Sequence, residues 1–97
     1  MKIYYLEDVA DFLEKLSEQE RSRVTRTREY FEKYGFIIGS KYIKKINSKL
    51  WELRSGRIRI FLCMGNDKAI GVHVIYKKSQ RLPLKDVHLA INRCKEL

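Results

Sequence analysis

At Leu50 the period of the hydrophobic pattern changes, and that switch limits the folds open to this chain. Before it, Val9, Phe12, Leu13 and Leu16 fall at i, i+3, i+4 and i+7 behind Asp8, the spacing of a short amphipathic helix. Ser17-Glu-Gln-Glu20 has the form of a capping box, so a second helix is expected to start there, with Val24, Phe31 and Tyr34 as its buried stripe and Gly35 as its stop. After Leu50, apolar residues alternate. Leu50–Arg54, Arg57–Met64 and Ala69–Lys78 read as three strands, joined at Ser55-Gly56 and at Gly65-Asn66-Asp67. Ile3 to Leu6 suits a first strand, and Pro83 the first turn of a last helix whose Leu84, Val87, Ile91 and Cys94 share a face. The order β-α-α-β-β-β-α predicts an α+β fold, with a small antiparallel sheet packed on two N-terminal helices and a C-terminal helix. At 97 residues it is expected to be one domain, residues 1–97, around a single core.

The hairpins sort their side chains by face. With Ser55-Gly56 as a two-residue turn, Leu53 opposes Ile58, Glu52 opposes Arg59 and Arg54 opposes Arg57, so Trp51, Leu53, Ile58 and Ile60 line the core. A three-residue loop at Gly65–Asp67 then opposes Arg59 to His73. It turns Ile70, Val72, Val74 and Tyr76 inward, and sets Gly71, His73, Ile75 and Lys77 on the arginine face. That face is expected to hold Glu52, Arg54, Arg57, Arg59, His73 and Lys77. Like charges on adjacent strands cost stability unless an anion offsets them.

Charge is regional. Residues 1–20 carry two basic and six acidic residues, net −4, whereas residues 21–49 are net +7 and residues 50–97 net +6, giving +9 for the chain. A polyanion partner follows, with nucleic acid ahead of membrane, since no basic amphipathic helix stands apart from the core pattern and no apolar run approaches the roughly 18 residues of a membrane span. MKIYYLEDVADF has no apolar segment of signal-peptide type, and Cys63 and Cys94 give neither a metal spacing nor a disulfide framework. The expectation is a cytoplasmic protein with two buried, apolar cysteines. Without a carboxylate cluster, a His-x-x-x-His pair or a glycine-rich phosphate loop, no metal or cofactor is expected.

A cationic sheet face with one imidazole and one carboxylate suits a phosphodiester. RNA is cut without metal when its 2′-hydroxyl attacks the neighbouring phosphorus, which requires proton removal, stabilisation of the phosphorane charge and a proton for the leaving 5′-oxygen. Arg59 is the candidate for the second task, because a guanidinium matches phosphate oxygens with two prongs. His73 either moves a proton or is merely packed on the sheet. Glu52 serves as a base or, the favoured role, orients Arg59.

Leu50-Trp51-Glu52-Leu53-Arg54, then Arg59-Ile60-Phe61, then His73-Val-Ile-Tyr-Lys77-Lys78-Ser-Gln-Arg81-Leu-Pro83 before the last helix resembles the RelE/HigB-like toxins of bacterial type II toxin–antitoxin systems, in particular their phage-derived branch. The resemblance implies a small endoribonuclease, an mRNA interferase, that enters the ribosomal A site, cuts translated messenger RNA without metal and so inhibits translation. It further implies a cognate antitoxin, often a helix-turn-helix DNA-binding protein. By position it assigns Arg54 and Arg59 to the central strands, Lys77 and Lys78 to the basic pair leaving the last strand, and Lys44 to a lysine ahead of the tryptophan motif. The catalytic candidates are Arg59, Arg54, His73, Glu52 and Lys77; the RNA-binding candidates are Lys44, Lys49, Arg57, Lys78 and Arg81. One departure bears on mechanism: RelE carries lysines where this chain has Leu50 and Glu52, so proton transfer falls to Glu52, His73, Lys44 or Lys49. The alternatives are a ParE-like poison of DNA gyrase that cleaves no RNA, and a catalytically weak RNA-binding relic.

Overall fold

The computed structural model describes residues 1–97. The elements run β1 (Lys2–Tyr5), α1 (Glu7–Glu14), α2 (Glu18–Tyr34), a 3-10 turn (Gly35–Ile38), β2 (Ile43–Lys45), β3 (Leu50–Ser55), β4 (Ile58–Met64), β5 (Lys68–Tyr76) and α3 (Leu84–Lys95). The α+β class is as expected, but the sheet is mixed. Its order is β1-β5-β4-β3-β2, with β1 parallel to β5 and every other pair antiparallel. The parallel pair arises because α1 and α2 intervene and carry the chain across the sheet. Strand β2, three residues long, is too short to leave a period in the sequence.

The capping box forms as its spacing dictates. Ser17 Oγ accepts the Glu20 N–H at 3.2 Å, the Glu20 carboxylate accepts the Ser17 N–H at 3.4 Å, and Gly35 ends α2 at φ 68°. On α2, Val24, Thr27 and Phe31 are buried, whereas Tyr34 is exposed and lies outside the expected stripe. Two side chains one turn apart also shield the outer edge of β1: Glu32 accepts the Ile3 N–H at 2.8 Å and Arg28 donates to the Ile3 carbonyl at 3.1 Å. This leaves no open ladder there for another strand to join.

Both faces of the sheet are covered, unequally. On one, Val9, Leu13, Leu16, Val24 and Phe31 of the first two helices and the turn between them pack against Ile3, Ile43, Leu53, Ile58, Ile60, Leu62 and Val74. On the other, Ala90, Val87, Ile91 and Cys94 of α3 cover Leu50, Phe61, Cys63 and Val72; Leu84, expected on this stripe, is exposed because it lies in the first turn, beyond the sheet. Strand β4 at the centre is therefore buried along nearly its whole length.

Both hairpin registers differ from expectation. The first turns at Gly56-Arg57, so Ser55 pairs with Ile58, Leu53 with Ile60 and Arg54 with Arg59. Gly56 at φ 58° takes the first central position, where a type II′ turn requires glycine. The shift is even, so the predicted faces survive while the facing partners change: Glu52 sits opposite Phe61, and Arg57 lies in the turn. In the second hairpin the Gly65 N–H donates to the Lys68 carbonyl at 2.7 Å, closing a two-residue turn, and a bulge between Phe61 and Leu62 absorbs one residue of β5. Ile70 and Val72, expected inward with Val74 and Tyr76, instead pack under α3, and Gly71 turns to the other side. A Cβ on Gly71 would stand 2.6 Å from the Tyr5 ring, which explains the glycine at that point.

The cysteines correct a second expectation. Cys63 on β4 and Cys94 on α3 form a disulfide, with Cα atoms 5.5 Å apart, that ties the last helix to the sheet. Their separation of 31 residues gives no sign of this, because only the packing of α3 across β4 brings them together.

Candidate functional site

The part of the second face that α3 leaves bare lies beside the β3–β4 turn, and the charged residues converge there. Strand β2 places Lys44 directly opposite Glu52, and β3 places Arg54 opposite Arg59. Because side chains on a strand alternate, Glu52, Arg54 and Arg59 share this face. Glu52 is 3% exposed and Arg59 9%. The carboxylate lies between two guanidiniums, 3.4 Å from Arg54 Nε and 3.7 Å from Arg59 Nε, distances that make ion pairs without making hydrogen bonds. A charged triad on the central strands, with its hydrogen-bonding capacity partly unused, is costly as architecture alone.

The backbone fixes the Arg59 guanidinium. Its Nη1 donates to the Gly56 carbonyl at 2.5 Å and to the Ile58 carbonyl at 3.1 Å, and its Nε points to Glu52, leaving Nη2 without a protein partner. Burial lowers the Arg59 pKa and the neighbouring Arg54 charge lowers it further, with Glu52 acting in the opposite sense. Arg54 is held as firmly: Nη1 donates to the Ser40 carbonyl at 3.0 Å while Nε faces Glu52.

Beyond Arg59 the surface opens into a cavity of about 400 Å³ with no apolar wall, lined by Arg57, Arg59, Lys77, Lys78, Ser79 and Gln80, with Gly56 at its edge. Lys77 enters it from the end of β5, its N–H bound to the Arg57 carbonyl at 2.8 Å. Burial pushes the Lys77 pKa below the usual lysine range, and the positive charges of Arg59, Arg54 and Lys44 push the same way against the pull of Glu52.

Of the residues singled out from the sequence, Arg59, Arg57, Lys77 and Lys78 therefore surround one cavity, with Arg54, Glu52 and Lys44 packed beside it. Three stand apart. His73, expected opposite Arg59, is opposite Phe61 because of the bulge; its Nε2 meets Asp86 of α3 at 2.7 Å and its ring stacks on Phe61 at 5.6 Å. It holds the start of α3 to the sheet. Lys49 lies before β3 at its far end, roughly 17 Å of strand from Arg54, near Ile91 and Lys95. Arg81 is on the exposed connection to α3 and is not on the cavity wall. Sequence reasoning missed Ser79, Gln80 and the Asp86 partner of His73. It matched Lys44 to its position by resemblance, but the pairing with Glu52 depends on the short β2, which leaves no periodic signal.

Residues 11–95 match the family model described as Phage derived protein Gp49-like (DUF891). No curated protein matches the chain. Among solved structures, the crystal structure of the RelB–RelE antitoxin–toxin complex from Methanococcus jannaschii contains a chain that superposes with a TM-score of 0.60 at 19% identity, over 75% of this chain and 88% of that one. The layered arrangement of helices on a five-strand sheet is thus shared with RelE, at an identity that speaks for the fold alone. The chain belongs to the Gp49-like family of phage-derived proteins, a family with the RelE-like toxin fold.

Proposed function

We propose that the protein is the toxin of a type II toxin–antitoxin system and a metal-independent endoribonuclease that cuts messenger RNA on the ribosome in the cytoplasm. The observation that carries this reading is the Arg54–Glu52–Arg59 triad opening onto a cavity walled by Arg57, Lys77 and Lys78. Buried cations that converge on a polar cavity are matched to an anion that gathers charge during reaction.

The chemistry follows from the geometry. RNA phosphate enters the cavity, and Arg59, held by two carbonyls and Glu52, presents Nη2 to the non-bridging oxygens as negative charge grows on phosphorus. Lys77, less basic than an ordinary lysine, takes the proton from the 2′-hydroxyl in its neutral form. The 2′-oxygen bonds to phosphorus, the bond to the 5′-oxygen breaks, and that oxygen takes a proton from a second cation, for which Lys44 opposite Glu52 is placed. The products are a 2′,3′-cyclic phosphate and a 5′-hydroxyl. Glu52 is a positioning residue here: at 3% exposure between two guanidiniums it is poorly placed to collect a proton.

The partner expected to silence this site is an antitoxin, of helix-turn-helix DNA-binding type in the branch that the sequence resembles. The RelE neighbour is itself one half of an antitoxin–toxin complex, which supports the pairing. In a reducing cytoplasm Cys63 and Cys94 would persist as packed thiols, and α3 would be held by its apolar face alone.

The deciding experiment is to map the 5′ ends of transcripts after brief induction. New ends inside translated frames, lost with Arg59→Ala, are expected. Intact transcripts accompanied by gyrase-linked DNA breaks would transfer the protein to the gyrase-poison class.

A further inference from the structure

A second cationic cleft, of about 620 Å³, lies on the other side of the β3–β4 turn, between α2 and the segment entering β2. Arg23 and Arg26 of α2, Lys41 and Arg54 line it, with Tyr30 and Tyr42 on its wall and no carboxylate among the lining residues. Arg23, Arg26 and Lys41 make no salt bridge. Like charges gathered without a counterion repel one another, and a bound polyanion removes the repulsion.

Its wall adds a different chemistry. Tyr30 and Tyr42 meet edge to face with centroids 5.4 Å apart, and Tyr34 continues the ledge 5.5 Å from Tyr30. Tyr30 is 41% exposed, so part of its ring is free to be covered. The Lys41 ammonium stands 5.5 Å from the Tyr42 centroid, placing a charge beside an aromatic surface. Cations along a groove with exposed aromatic rings are what single-stranded nucleic acid requires, since phosphates track the charge and bases stack on the rings. The volume falls within the range of about 300–1,000 Å³ of sites that enclose a small organic molecule, so a nucleotide-sized unit fits.

The cleft also adjoins the candidate catalytic cavity. Gly56 lines both, and Arg54 spans the partition, with its guanidinium in the cleft and its Nε toward Glu52. A Cβ on Gly56 would stand 2.7 Å from Arg23 Nη1, so a bare glycine keeps this arginine folded over the turn between the two sites.

We propose that this cleft binds the stretch of single-stranded RNA adjoining the cleaved phosphate, with phosphates on Arg23, Arg26 and Lys41 and a base on the Tyr30–Tyr42 ledge. The identity of the strand as substrate rests on the nuclease reading above; the binding itself does not. The test uses the full chain and fluorescence anisotropy with 2′-O-methyl RNA, which lacks the attacking hydroxyl, in strands of about 4 and about 12 nucleotides.

Arg26→Ala/Lys41→Ala is expected to weaken the long strand alone and to reduce its salt slope by about 1.4, that is about 0.7 per lost phosphate contact. Tyr30→Ala is expected to weaken the long strand about 10-fold with the slope unchanged, and Tyr30→Phe, which keeps the ring, to restore it. All three positions are open to solvent, and thermal melting checks that the variants fold. Long-strand affinity unchanged in both the double variant and Tyr30→Ala overturns the proposal. So does loss of binding to a glutamate-rich peptide while RNA binding stays intact, which would make the cleft a site for an acidic protein segment. Arg59→Ala separates the two readings: if it cleaves normally, the nuclease reading fails while the cleft result stands.

Discussion

Replacing Arg59 tests the site at its centre. Arg59→Ala removes two charge-assisted hydrogen bonds, to the carbonyls of Gly56 and Ile58, and the ion pair to Glu52 at 3.7 Å. Stranding a buried charge costs about 3–5 kcal/mol. Glu52 is not stranded, since Arg54 remains 3.4 Å away, and the substitution also relieves the repulsion between the two arginines. A loss of about 2 kcal/mol is therefore expected, inside the roughly 5–15 kcal/mol of a small domain, so the variant stays folded. In a urea titration the midpoint should fall by about 1–2 M. Cleavage should fall much further, by about 10²–10³, the cost of deleting one donor that meets developing charge. Arg59→Lys keeps the charge but cannot hold two carbonyls, Glu52 and a phosphate oxygen together, so it should be nearly as inactive. Message cleavage and ribosome binding measured for the three proteins at fixed salt decide the matter. Full cleavage by Arg59→Lys would refute the catalytic role and leave Arg59 as one attracting charge among several.

Three further outcomes are expected. The rate of cleavage should rise with pH until the Lys77 pKa, which lies below the ordinary lysine range, and level off above it, because Lys77 must be neutral to accept a proton; in Lys77→Ala that rising limb should vanish from the pH–rate profile. Reducing the Cys63–Cys94 disulfide, which closes a loop of 31 residues, should cost about 3–4 kcal/mol of stability, seen as a lower melting temperature with reductant, whereas an unchanged value would mean that the apolar face of α3 suffices. Binding of the antitoxin should weaken as salt rises if it covers the cationic face, read by titration at two ionic strengths, and salt-independent affinity would indicate a mainly apolar interface.

The parts of this fold that the sequence disclosed are those governed by local physics. The Ser17–Glu20 capping box, the stop at Gly35 and the alternation through β3 and β4 depend on a few neighbouring residues, and each formed where the spacing indicated. Hairpin registers depend on one residue at the turn, and there the reading slipped: Ser55-Gly56 and Gly56-Arg57 both suit a tight turn, and only the φ of Gly56 with Arg23 folded over it distinguishes them. The even slip spared the faces, so Glu52, Arg54 and Arg59 were placed together although their partners were not. Long-range features left no trace. The parallel pairing of β1 with β5, the short β2, the His73–Asp86 contact and the disulfide all join segments whose separation the local pattern does not encode.

The bulge in β5 links the core to the site. Without it, the residues of β5 would keep one alternation, and a strand with Val74 and Tyr76 facing α1 and α2 would also send Ile70 and Val72 there. With one residue absorbed between Phe61 and Leu62, the half of β5 near its N-terminus reverses: Ala69 and Gly71 face the first two helices, while Ile70 and Val72 serve the small core under α3. Arg93 of α3 donates to the Val72 carbonyl at 2.8 Å and pairs with Asp8 of α1 at 2.7 Å, so the irregular backbone is used to fasten the last helix. The half beyond the bulge keeps the phase that carries Ile75 beside Arg59 and sends Lys77 into the cavity. A single register change thus lets one strand supply an apolar seat for α3 at one end and a cation at the other. This is how a sheet with so small a second core can hold a buried arginine at its centre.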